Sequence, residues 1–190
     1  MTLALRSGVS RLRGLALLAG SMVMPLLHAH RQDECLQAVL IDVAPEQIRL
    51  FLSITPGTEV AARFNAVVDL DRNGTVSPRE AGAYVSNVVS QVTFRSDGIV
   101  RKLDLKTFRF PEPEAIRAGA GTIQIEAVAV VPVLTEGAHI VHFENRHLPH
   151  MSGYLANALM PETRRIVIGR QKRNEIQSEI EIPVTVQAGK

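Results

Sequence analysis

Asp69, Asp71, Asn73, Ser77 and Glu80 stand at positions one, three, five, nine and twelve of the segment Asp-Leu-Asp-Arg-Asn-Gly-Thr-Val-Ser-Pro-Arg-Glu, and Gly74 stands at position six. This is the donor spacing of a twelve-residue calcium loop. Calcium is a hard cation that gathers roughly six to eight oxygens in a flexible shell. Asp69, Asp71 and Asn73 offer side-chain oxygens from alternate positions of a tightly turning chain. Gly74 permits the sharp turn, where a Cβ is expected to clash at positive φ. Thr75 has only to give its backbone carbonyl, Ser77 acts through a water, and Glu80 closes the shell with both carboxylate oxygens. Three carboxylates facing the ion, with Arg72 and Arg79 close by, predict weak affinity, on the order of 10⁻⁴ to 10⁻³ M.

The same residues can do plainer work. Ser77-Pro78-Arg79-Glu80 reads as a helix start, with Ser77 as N-cap, Pro78 in the first turn and Glu80 closing a capping box. An Asp/Asn/Gly cluster is also a common polar turn. The flanks extend the calcium pattern to an EF-hand, a helix-loop-helix over about residues 58–92. Before the loop, Glu59 to Val68 is a short amphipathic run with Val60, Phe64, Val67 and Val68 apolar. After it, Ala81 to Val92 continues helically, with Tyr84, Val85, Val88 and Val89 on one side. No second loop of this kind occurs, so Val76 at position eight has no partner loop for a β-link.

The elements that must position this loop are strands. Leu36 to Val43 and Ile48 to Thr55 alternate around the turn Ala44-Pro45-Glu46-Gln47, and Ile48, Leu50, Leu52 and Ile54 share one face. Beyond the helices, Val92 to Arg95 and Ile99 to Leu105 flank the turn Ser96-Asp97-Gly98. Pro111 to Gly121 reads as a loop, Thr122 to Val131 and Ala138 to Glu144 as strands, and Ser152 to Leu159 as a strand or an irregular segment. Arg164 to Arg170 and Glu179 to Val186 close the series. The expected fold is mainly β (α+β), an antiparallel β-sandwich with an inserted EF-hand, occupying residues 30–190 as a single domain.

Residues 1–29 read as a secretory signal peptide. Arg6, Arg11 and Arg13 make a positive start, Gly14 to Leu27 is apolar, and Leu27-His28-Ala29 ends in a small residue suited to cleavage. The apolar stretch is short for a spanning helix, so stable membrane insertion is not expected after cleavage. The whole chain has 21 basic and 19 acidic side chains. Without the three signal arginines it keeps 18 basic against 19 acidic, a net charge of −1. The basic character is therefore an export feature, and nucleic-acid binding is not expected. Cys35 is the only cysteine, which excludes an intramolecular disulfide. Gln32-Asp33-Glu34 before it do not fit a lipoprotein cleavage pattern, so it is expected to be a plain thiol near a frayed mature N-terminus, with a mixed intermolecular disulfide as the alternative.

His139, His142, His147 and His150 form a second candidate for metal chemistry, suited to nickel, cobalt, copper or zinc. On a strand His139 and His142 point to opposite faces, so only His147 and His150 converge easily, across Leu148-Pro149. Mature His30 could add a chelate through its ring and free amine. No nucleophile elbow, phosphate loop, CxxC pair or HExxH is present, and nothing assigns an enzymatic role.

The order of elements resembles the exported bacterial EF-hand-containing domains, some of which precede the membrane part of nickel/cobalt transporter-type proteins. The resemblance runs over about residues 36–186. It is carried by Leu52-Ser53-Ile54-Thr55-Pro56-Gly57, the Asp69 to Glu80 loop, Phe143-Glu144-Asn145-Arg146-His147, and Tyr154-Leu155-Ala156-Asn157-Ala158-Leu159. It implies that Asp69, Asp71, Asn73, Thr75 and Glu80 carry calcium. As far as Lys190 no transporter helices follow, so at most an accessory or binding role carries over. The expected function is a secreted or periplasmic calcium-binding module with an envelope protein partner. The alternatives are a nickel/cobalt-binding accessory domain and an adhesion or assembly module that uses exposed strand edges.

Overall fold

The alternation of apolar residues that marks strands in the sequence becomes two sheets around one core. The computed structural model describes residues 32–188. The segment read as an export signal, its cleavage point and His30 lie outside the described residues. In chain order the elements are β1 (Cys35–Val43), β2 (Ile48–Pro56), α1 (Ala61–Val68), α2 (Pro78–Ser90), β3 (Val92–Ser96), β4 (Ile99–Arg101) and β5 (Leu103–Arg109). They continue as α3 (Pro113–Arg117), β6 (Ile123–Ala129), β7 (Gly137–Asn145), β8 (Ser152–Ala158), β9 (Ile166–Ile168), β10 (Lys172–Arg173) and β11 (Glu179–Val186).

The first sheet has the order β5-β6-β2-β1-β8, and the second the order β10-β11-β7-β3-β4 with β9 paired to β11. The architecture is a β-sandwich-like α+β fold, mostly strand, in which antiparallel pairing dominates. Along β2 the residues Ile48, Leu50, Leu52 and Ile54 are buried, and Ile123, Ile125, Ala127 and Ala129 of β6 face the same way. From the opposite sheet Phe94, Val141, Phe143, Ile180, Ile182 and Val184 join them in one hydrophobic cluster. With few aromatic residues, branched aliphatics fill most of the space between the sheets. The same cluster takes in Phe64 and Val68 of α1, Tyr84, Val85 and Val88 of α2, and Ile116 of α3.

Several expectations need correction. The segment Ile99 to Leu105 is not one strand: β4 ends at Arg101 and pairs with β3, while β5 begins at Leu103 and pairs with β6 in the other sheet. The chain changes sheet at Lys102, and alternation along the sequence does not register such a change. Pro111 to Gly121 is not all loop, because Pro113 starts the short helix α3, which brings Ile116 into the core. Val92 belongs to β3 rather than to the preceding helix. β8 is regular and pairs in parallel with β1, from Cys35↔Ser152 to Ile41↔Ala158, so the sandwich is not purely antiparallel. The chain crosses from β7 in one sheet to the edge of the other, and such a crossing can deliver a strand in either direction. The strand expected over Arg164 to Arg170 shrinks to three residues, β9, and Lys172–Arg173 adds a further short strand.

Cys35 also departs from expectation. It is fully buried at the start of β1, where its amide donates to the Met151 carbonyl at 2.6 Å. Burial, and then the nearby Glu34 charge, push its thiol up to about 12. A buried, protonated thiol is a poor nucleophile, so the structure offers no support for a mixed disulfide there. The chain before it is fixed as well. The Gly57 amide donates to the Glu34 carbonyl at 3.0 Å, and a Cβ on Gly57 would stand 2.3 Å from the Gln32 carbonyl oxygen.

Candidate metal centre

Two helices and the turn between them bring the oxygen donors together. α1 ends at Asp69, whose amide caps the helix by donating to the Asn65 carbonyl at 2.8 Å. The chain then turns sharply through two residues of positive φ, Arg72 at 59° and Gly74 at 84°. Apart from Gly74 itself and its two chain neighbours, no atom lies within 4 Å of where a Cβ on Gly74 would stand. The demand for glycine therefore comes from the backbone angle, at which a Cβ crowds its own chain rather than another part of the fold.

The side chains of the loop hold its backbone in place. Asp69 accepts from the Asn73 amide at 3.1 Å through Oδ1, and from the Gly74 amide at 2.8 Å through Oδ2. Asp71 accepts from the Asn73 amide at 3.1 Å and from Asn73 Nδ2 at 2.9 Å. Asn73 Oδ1 in turn accepts from the Thr75 amide at 2.8 Å and its hydroxyl at 2.6 Å. These are turns closed by side chains on their own backbone, and they explain why Asp and Asn stand at alternate positions.

α2 begins with the capping box read from the sequence. Ser77 Oγ accepts from the Glu80 amide at 3.3 Å, and Glu80 Oε2 accepts from the Ser77 amide at 2.9 Å and the Ser77 hydroxyl at 2.7 Å. The other oxygen, Oε1, accepts from the amides of Leu70 at 2.8 Å and Asp71 at 3.3 Å. One carboxylate therefore ties both ends of the loop to the start of α2. A carboxylate has about four acceptor sites, and here four donors meet them. The Ser77 hydroxyl, followed by the Ser77 amide and the other two amides, holds the Glu80 carboxyl down to about 2. Glu80 thus binds fewer protons in the folded chain than in the unfolded one. Its contribution is complete above its ordinary value of 4.5 and is lost as pH falls towards 2.

One carboxylate oxygen each from Asp69, Asp71 and Glu80 lie within 4.8 Å of one another. Asp69 is half-buried, Asp71 exposed and Glu80 buried, so the group opens to solvent on one side. Among the described residues no other group of three or more His, Cys, Asp or Glu side chains converges in this way. Of the residues read as ligands, the structure brings together Asp69, Asp71 and Glu80. It bonds Asn73 to Asp71 and Thr75 to Asn73, and it turns the Ser77 hydroxyl towards Glu80. All these donors are oxygens, which suits a hard divalent cation such as calcium and offers nothing to a soft one.

Among the described residues the histidines do not form a second centre. His139 places Nδ1 2.8 Å from Asp97 Oδ2 and Nε2 2.8 Å from the Thr135 carbonyl, so both ring nitrogens are engaged. His142 lies on the other face of β7 with Nε2 2.6 Å from Glu179 Oε1. His147 is fully buried while His150 is exposed, so the pair expected to converge across Leu148-Pro149 is divided between core and surface.

A buried polar network next to the Asp69–Glu80 loop has no counterpart among the sequence expectations. Tyr84 of α2 places its hydroxyl 3.0 Å from His147 Nε2. The His147 carbonyl accepts from Gln37 Nε2 at 2.7 Å and from the Tyr154 hydroxyl at 2.8 Å, and its amide donates to Asn145 Oδ1 at 2.9 Å. Gln37 Oε1 accepts from Asn145 Nδ2 at 2.8 Å, and Gln37 Nε2 also donates to Ser152 Oγ at 2.7 Å. The network joins β1 and β8 of one sheet, β7 of the other, and the helix that carries Glu80. Its sequence signal is the run Phe143-Glu144-Asn145-Arg146-His147, where Asn145 at the end of β7 and His147 just beyond it continue the alternation of buried residues that hydrophobic side chains usually fill.

Comparison of the chain with models of known protein families, with curated proteins and with solved structures gives no match. Among the described residues no helix is long and apolar enough to cross a membrane.

Proposed function

We propose that the protein is an exported calcium-binding module in which a single EF-hand stabilises a β-rich domain, and that it acts through an envelope protein partner rather than as an enzyme. The observation that carries this reading is the convergence of Asp69, Asp71 and Glu80 within 4.8 Å, in a loop whose every offered donor is oxygen. Asp69, Asp71 and Asn73 would bind through side-chain oxygens, Thr75 through its carbonyl, Ser77 through a water, and Glu80 through its carboxylate. The ion would neutralise a cluster that otherwise gathers three negative charges at one turn. It would thereby fasten the end of α1 to the start of α2. The signal-like residues 1–29 support export to the periplasm or beyond.

The geometry also supports weak binding. To engage a cation with both oxygens, Glu80 must exchange hydrogen bonds that the loop amides and Ser77 already provide. This exchange offsets part of the Coulomb gain. Calorimetric titration at pH 7.5 is expected to give one site with a dissociation constant on the order of 10⁻⁴ to 10⁻³ M. Glu80→Gln, which removes the closing charge, is expected to bind at least tenfold more weakly. Equal affinity in the two proteins would remove Glu80 from the site and reduce the loop to a capped turn.

A further inference from the structure

We propose that His147 is a proton-controlled tie for the helix that carries Glu80: its neutral imidazole seats α2 on the sandwich, and its imidazolium releases it. The backbone of His147 is fixed by both sheets, through Asn145, Gln37 and Tyr154. Its ring makes one hydrogen bond, to the Tyr84 hydroxyl, and Nδ1 has no partner. The two rings also pack edge to face with centroids 5.3 Å apart. Tyr84 touches Phe64 of α1 and Phe110 in the same manner, at 5.4 and 6.0 Å. It lies one helical turn beyond Glu80 on the same face of α2, and both side chains are buried. A change in how Tyr84 meets His147 therefore reaches the residue that closes the loop.

Among the described residues no anion is placed to accept a charged imidazole. α2 presents Tyr84, β1 presents Gln37, β7 presents Asn145, and β8 presents Ser152 and Tyr154. Cys35 of β1 is also near, and the hydroxyls of Tyr84 and Tyr154 are both held above their ordinary range, first by burial. The thiol and both phenols are thus neutral across the physiological range. The adjacent Arg146 is exposed and spends its guanidinium on Glu144. α1 contributes the apolar Phe64. Burial accordingly pushes His147 down to about 4 from 6.5. Between those values the released state binds more protons than the seated state. Seating is therefore complete above about 6.5 and weakens as pH falls towards 4.

Amide hydrogen exchange along α2 tests this in the full protein with a chelator present. After correction for the intrinsic rate, the opening of α2 amides is expected to rise on the order of tenfold from pH 7 to pH 5 in the wild type. It should rise far less in His147→Gln, whose amide can reach Tyr84 but does not titrate. The wild-type imidazole is followed by NMR in parallel, a readout that stands whether or not the variant folds. A midpoint well below 6.5 supports the tie, and a midpoint at 6.5 or above overturns it, as does equal opening in the two proteins. The test does not rely on calcium. A chain that binds none at pH 7.5 would overturn the calcium reading alone, while equal exchange in wild type and variant would overturn the tie alone.

Discussion

Tyr84→Ala is expected to lower the stability of the protein by about 4 kcal/mol, even with a chelator present. The truncation empties a site that is almost fully buried, and it removes edge-to-face contacts with Phe64, Phe110 and His147. Loss of a buried aromatic side chain costs roughly 3–5 kcal/mol through transfer and cavity terms. It also leaves His147 Nε2 unpaired beside the already unpaired Nδ1, which adds the cost of an unsatisfied buried group. Tyr84→Phe separates the two contributions. It keeps the ring and loses the hydroxyl, so roughly 1–2 kcal/mol is expected. Urea unfolding monitored by circular dichroism measures both. A loss below about 1 kcal/mol for Tyr84→Ala would mean that α2 is held by its aliphatic residues and that Tyr84 is not the joint between the helices and the sheets.

Calcium is expected to raise the midpoint of thermal unfolding, and Glu80→Gln to abolish the rise. At free calcium about ten times the dissociation constant, linkage supplies roughly 1.4 kcal/mol. For a chain of this size that corresponds to about 3–6 °C. The rise should grow with the logarithm of calcium concentration and show no plateau once the site is filled, because binding to the native state alone continues to pull the equilibrium. Glu80→Gln should also begin from a lower midpoint in chelator. A neutral amide accepts more weakly from Leu70, Asp71 and Ser77, and its nitrogen cannot accept at all. An equal rise in wild type and variant would show that calcium acts elsewhere on the chain.

The parts of the fold that the sequence disclosed are those in which one periodicity governs one element. Ile48, Leu50, Leu52 and Ile54 could be placed on a single face because a strand alternates with period two, and all four are buried. The turn at Asp97 and Gly98 was legible because both residues take positive φ, which Asp-Gly tolerates. Ser77 and Glu80 could be read as a capping box because that motif is local.

What escaped was decided by distant parts of the chain. The parallel pairing of β8 with β1 depends on residues more than a hundred positions apart, and no local spacing records direction. The passage of the chain from one sheet to the other at Lys102 leaves the alternation undisturbed. Cys35 looked terminal because it lies close to the segment read as a signal, yet β2 and β8 flank it and seal it in. His147 read as a metal ligand in a cluster of four, whereas its partners are Tyr84, sixty-three positions earlier, and Gln37, still further away. The loop itself was legible as a set of donors. That Glu80 already accepts four hydrogen bonds was not, because two of them come from Leu70 and Asp71 at the far end of the loop.

A calcium titration followed by amide NMR tests directly whether an ion binds at Asp69–Glu80. Saturable shifts are expected at Gly74, Thr75, Ser77 and Glu80, with the largest at Gly74, whose amide donates to Asp69. Glu80→Gln should remove them. Shifts that do not saturate, or that centre on His147 and His150 and leave the loop unmoved, would rule out a calcium site in the loop.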